Sequence, residues 1–124
     1  MTRSRVFRGR ATQIMVADLL RKHGVTNAES RAASLPGEDI LYVKDLSIEV
    51  KTGGSDKLLP ALRQAKKNAG PKKFPLVFWR PNGYGEKRID DWVVAMTLSD
   101  AIIILRKARL LSPERKRYDQ ATDD

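Results

Sequence analysis

Within the stretch DLSIEVKT, residues 45–52, Glu49 and Lys51 stand two positions apart. Leu46, Ile48 and Val50 alternate with Ser47, Glu49 and Lys51, which is the period of an extended strand with one buried apolar face. The carboxylate and the ammonium therefore share a face, about 7 Å apart at about 3.3 Å per residue. On an open surface such a pair contributes little. Upstream, LPGEDI places Asp39 just after a tight turn and at the start of another extended piece. A hairpin between this piece and the 46–51 strand would bring Asp39 and Glu49 to one edge of a sheet. Two carboxylates beside a lysine suit a hard divalent cation, because Mg²⁺ is held through one or two carboxylates plus waters and substrate phosphates. The chemistry expected is metal-assisted hydrolysis of a phosphodiester, with Lys51 orienting the attacking water or holding the phosphate.

The rest of the composition narrows the choice. The chain has 124 residues, enough for one compact domain and too few for two ordinary ones. It contains no cysteine, which excludes disulfides, a thiol nucleophile and thiolate zinc sites. One histidine, His23, sits where a helix is expected to end and favours that end electrostatically. Lys plus Arg number 24 against 15 Asp plus Glu, a net charge of +9 that favours a polyanionic partner. Nucleic acid is preferred over an anionic membrane surface, because the basic residues are spread over several segments instead of forming one amphipathic anchor. No apolar run is long enough to span a bilayer and no signal peptide is visible, so an intracellular, cytoplasmic location is expected, including that of a phage protein inside its host.

The elements that must position these residues follow from periodicity. Residues 1–8 read as a flexible basic arm. From about Arg10 to His23, Met15, Val16, Leu19 and Leu20 share one helical arc, and Gly24 makes a stop. Short β-compatible pieces flank Pro36-Gly37, and the 46–51 strand follows. Ser55 or Asp56 is expected to cap a helix to Ala69 that buries Leu58, Leu62, Ala65 and Ala69, with Pro60 in its first turn. FPLVFW reads as a central strand covered on both faces. A turn at Asn82-Gly83, a strand near Trp92–Met96 and a last helix opened by Thr97 and Asp100 complete the chain. Asp90 and Asp91 read as neighbours on a strand with opposite facings, and Trp79 and Trp92 as core anchors, whereas Tyr84 between two glycines is an exposed aromatic candidate. GGSDK lacks the arrangement of a phosphate-binding P-loop.

PGEDI and EVK, with nine residues between Asp39 and Glu49, together resemble the PD-(D/E)xK nuclease motif, with Pro36 and Asp39 set slightly apart. Within that superfamily the chain is most similar to the archaeal-type Holliday junction resolvases and their phage or bacterial relatives. The resemblance implies an α/β fold with a restriction-endonuclease-like core, a mixed central β-sheet flanked by helices in the order αβββαββα. It also implies one nuclease domain over residues 9–112, and the polar composition of 113–124 reads as a disordered tail. Asp39, Glu49 and the Val50 carbonyl would be metal ligands for Mg²⁺, with Mn²⁺ as a substitute, and Lys51 would be the catalytic lysine. RQAKKNAG looks like the family's glutamine-bearing helix, which gives Gln64 a supporting catalytic role. Gln13 stands where such resolvases often carry a glutamate, and Glu38 is the acid that could partly substitute.

The expected phosphate tracks are Arg3, Arg5, Arg8, Arg10 and Gln13 at one end of the chain and Lys66, Lys67, Lys72 and Lys73 after the motif. A metal-dependent endonuclease acting on branched DNA, four-way junctions above all, is the expected function, and a two-fold homodimer would match paired cuts. WVVAM and AIIIL are candidate interface segments. The competing readings are a non-catalytic DNA-binding protein on the same fold, a related nuclease of flaps, ends or restriction sites, and an interaction module with nonspecific affinity for nucleic acid.

Overall fold

A computed structural model describes residues 3–32 and 35–111, with side chains from Arg8 onward. Helix α1 (Arg3–Lys22) leads into two short strands, β1 (Glu29–Ser30) and β2 (Ile40–Leu41), and then the long strand β3 (Leu46–Gly53). A 3₁₀ turn at Ser55–Lys57 runs directly into α2 (Leu58–Ala69), which returns the chain to β4 (Phe74–Pro81). A second 3₁₀ stretch, Glu86–Asp91, precedes β5 (Val93–Ala95) and α3 (Leu98–Lys107). The fold is α/β, and helices and strands follow one another in the expected order. No described helix is long and apolar enough to cross a membrane.

The main sheet has the order β3-β4-β5 and is mixed. β3 and β4 run parallel, from Leu46 beside Phe74 to Gly53 beside Pro81, with α2 as the crossover that a parallel pair requires. β5 is antiparallel to β4 through Val77–Ala95, Phe78–Val94 and Trp79–Val93. β1 and β2 form a separate antiparallel pair, Glu29 with Leu41 and Ser30 with Ile40. The expected hairpin between the Asp39 segment and β3 is reduced to a single backbone bond, in which Asp39 N–H donates to the Ile48 carbonyl at 2.9 Å. Gly37 turns the chain into that contact at φ +113°, and a side chain there would collide with the Arg31 guanidinium.

Helices cover both faces of β3. On one face Val16 and Ala17 of α1 join Ala28, Ile40, Val43, Ile48 and Val50 in a continuous apolar cluster, flanked by Leu20, Phe78 and Trp92. On the other, α2 lays Ala61, Ala65 and Ala69 inward at helical spacing, and these small residues let the helix approach closely. That stripe replaces the expected Leu58 and Leu62, which are half-buried.

Several expectations on the elements are corrected. α1 begins at Arg3, so the segment read as a flexible arm forms the helix's first turns; arginine is a good helix former and nothing in RSRVFR interrupts the helix. The side chains of Arg3 and Arg5, and the tail 113–124, lie outside the described residues. Neither Ser55 nor Asp56 caps α2 by side chain, since the 3₁₀ turn supplies the entry. Asp90 and Asp91 lie in a 3₁₀ stretch, not a strand, and Asp91 pairs with Arg88 at 3.7 Å. Thr97 does cap α3, accepting the Asp100 N–H on Oγ1 at 3.2 Å.

Candidate functional site

A cleft of about 1030 Å³ opens at the carboxyl ends of the parallel strands, where open α/β sheets usually bind ligands. Arg8 and Gln13 of α1, Asp39, then Glu49, Val50 and Lys51 of β3, and Gln64 of α2 all line it. Residues distant in sequence meet there because α1 and α2 flank the same strand and the Asp39 segment runs along its free edge.

That edge has a definite geometry. The Val50 N–H donates to Asp39 Oδ2 at 2.7 Å, and Ile48 meets the Asp39 backbone. In an extended strand the N–H and C=O of one residue point to the same side, so the Val50 carbonyl faces the Asp39 edge while Glu49 and Lys51 give their backbone groups to β4. Asp39 is thus fixed beside Val50, with its second oxygen unspent in that bond.

The face carrying Glu49 is the main departure from the sequence expectation. Ser47 and Glu49 are buried, at 0% and 6% exposure, although both belong to the polar side of the alternation. α2 crosses over this side and turns what read as a solvent face into a polar interior. Lys51 remains half-buried, with Nζ 4.0 Å from Glu49 Oε2. Glu49 Oε1, Ser47 Oγ and Asn68 Nδ2 are all buried without a hydrogen-bond partner among the described residues. Burial, then the negative charge of Asp39, push the Glu49 carboxyl up to about 7, against the weaker opposing influence of Lys51. Burial also raises Asp39 above the ordinary carboxylate range, with the Val50 N–H, Lys51 and Arg31 opposing it.

Oxygen donors that repel one another, one of them orphaned in the interior, are the arrangement that a hard cation relieves. Asp39, Glu49 and the Val50 carbonyl can supply one to three ligands. Among the described residues no set of three or more acidic, histidine or cysteine side chains could hold a metal. The donor set fits Mg²⁺, which keeps several waters and shares substrate oxygens, better than it fits a cation that demands many protein ligands.

The remaining sequence candidates separate. Glu38 does not line the cleft; it pairs with Arg31 at 3.4 Å and Lys73 at 3.8 Å. Lys66, Lys72 and Lys73 gather with Asp100 around a smaller hollow where α2 ends and β4 begins. That is the opposite end of the strands from the cleft, because α2 runs back along the sheet. Lys67 and Arg10 are exposed and line neither space. The sequence reading missed Ser47 and Asn68. Asn68 is one helical turn beyond Gln64, and this i, i+4 relation was the available signal.

No protein-family model, no curated protein and no solved structure matches this chain.

Proposed function

We propose that the protein is a metal-dependent DNA endonuclease with a restriction-endonuclease-like core of the PD-(D/E)xK type, acting on branched DNA and, in the first instance, on four-way junctions. The observation that carries the reading is the convergence of Asp39 and Glu49, with Lys51 beside them and the Val50 carbonyl on the same edge, at the mouth of one cleft. Gln64 and Gln13 on the two flanking helices add neutral donors for a phosphate or a water. Mg²⁺ held by Asp39, Glu49 and Val50 would acidify a bound water and offset charge developing on the phosphodiester. Lys51 orients the attacking water or steadies the phosphate as a compact point charge. Arg8 at the rim draws in the DNA backbone, and such phosphate contacts position a substrate without reading its sequence.

A homodimer belongs to the same reading. β5 and α3 expose Val94, Leu98 and Ile103, apolar residues a second copy could cover in two-fold fashion. The reading of a non-catalytic DNA-binding protein is favoured by one observation, the neutral Gln13 where a further carboxylate would strengthen the metal site.

The deciding experiment is cleavage of labelled four-way junction, flap, linear duplex and single strand with Mg²⁺, Mn²⁺ or EDTA, using wild type and Glu49→Gln. Metal-dependent paired nicks in the junction, absent in the variant, are expected. Tight junction binding without any cleavage in either metal would leave a DNA-binding protein and remove the enzyme.

A further inference from the structure

The cleft continues past the end of β3 into a second hollow of about 340 Å³, bounded by Arg8, by Thr52 and Gly53, and by the Arg80–Gly85 turn. Arg8, Thr52, Gly53 and Asn82 line both spaces, so a chain lying in one can run into the other.

The walls of this hollow are braced. Trp79 Nε1 donates to the Gly53 carbonyl at 2.8 Å, holding the end of β3 against β4. Arg80 donates through Nε to the Tyr84 carbonyl at 2.7 Å and through Nη1 to Thr12 Oγ1 at 2.9 Å, and its guanidinium lies 5.0 Å from the Trp92 ring centre. A cation fixed in this way is a permanent part of the wall and not a swinging surface charge. The Tyr84 ring is steadied in turn by the Arg88 guanidinium, 3.8 Å from its centre, and Arg88 is tied to Asp91. Gly83 and Gly85 also line it, and among the described residues nothing lies within 4 Å of where a side chain would begin at either.

Two cations and a braced aromatic ring around a space of this size are the elements that recognise an unpaired nucleotide: guanidinium groups for the phosphate, a ring face for the base. The volume lies at the lower end of small-ligand pockets, which run from about 300 to 1,000 Å³, and suits one nucleotide. We propose that the hollow is a subsite for a single unpaired nucleotide adjoining the phosphate in the main cleft, with Tyr84 as the stacking ring and Arg8 and Arg80 as its cations. This rests on the nuclease reading of that cleft and gives its substrate a specific feature, an unpaired nucleotide at the boundary of a duplex.

The test compares affinity for a blunt DNA duplex with affinity for the same duplex bearing a short single-stranded flap, measured by fluorescence anisotropy in EDTA. Wild type is expected to prefer the flap-bearing DNA about tenfold, the scale of one stacked base. Tyr84→Ala should remove most of that ratio, and so should Gly85→Leu, which adds bulk at a lining residue whose φ of −76° accepts any residue. Equal affinity of wild type for the two DNAs, or an unchanged ratio in both variants, would overturn the subsite. The same DNAs and a four-way junction, incubated with Mg²⁺ or Mn²⁺, separate the two claims. Discrimination without cleavage removes the nuclease reading and leaves the subsite; cleavage without discrimination does the reverse.

Discussion

Asp39 and Val50 are joined by a 2.7 Å hydrogen bond from the Val50 N–H to Oδ2, across the free edge of β3. The bond holds the carboxylate in place, at the cost of desolvating it. Asp39→Asn keeps an acceptor for that N–H and removes one of two repelling charges. At about pH 8 the metal-free variant should melt about 4 °C higher, the shift about 1 kcal/mol gives in a domain of this size. Asp39→Ala leaves the N–H without its partner and should lose about 2 kcal/mol in urea unfolding. Neither variant should cleave DNA.

Glu49 gives the protein a defined pH dependence. Its carboxyl ionises near 4.5 in the unfolded chain and near 7 in the fold. Between those values the folded state holds a proton the unfolded state has lost, so the Glu49 contribution to stability is complete below about pH 4.5 and declines as pH rises toward 7. Thermal melts across this range should show the decline in wild type and a flatter profile in Glu49→Gln. On the proposed reading Mg²⁺ would compete with that proton, and should raise the melting temperature at about pH 8 and not at about pH 5.

Lys51 can be separated from metal binding. Calorimetric titration of Lys51→Ala with Mn²⁺ should still show binding, whereas single-turnover cleavage should fall by about 10²–10³-fold. Lys51→Arg should not restore the rate, because a planar fork does not reproduce a compact ammonium at this spacing.

Interface residues should act on assembly alone. Val94→Glu with Ile103→Glu places charges on the exposed faces of β5 and α3. Light scattering on wild type should give a dimer and on the double variant a monomer, with the melting temperature of the monomeric unit little changed. A monomeric wild type, free and on a junction, would remove the dimer from the reading.

The pairing of Glu49 with Lys51 was legible because a strand's period is two and nothing in the tertiary structure changes it. Burial was not legible at the same residues. Alternation says which side chains share a face, but not whether another element covers that face, and α2 covers the face of Ser47 and Glu49. The first helix was read too short because RSRVFR was judged by its charge, although arginine is a good helix former. Lys73 was placed on the expected phosphate tracks as one of the basic residues. The return path of α2 carries it to the far end of the strands, where it meets Glu38. Asn68 was overlooked because a single amide in a helix carries no pattern until the strand beneath it is known.

α3 buries none of its residues, whereas Glu49, Val50, Lys51 and Gln64 all belong to the compact β3–α2–β4 unit. In hydrogen-exchange terms these are two layers of protection. The amides of α3 are released by local fraying, while those of β3 and β4 wait for opening of the whole unit. Detachment of the last helix therefore leaves the four cleft residues of that unit undisturbed.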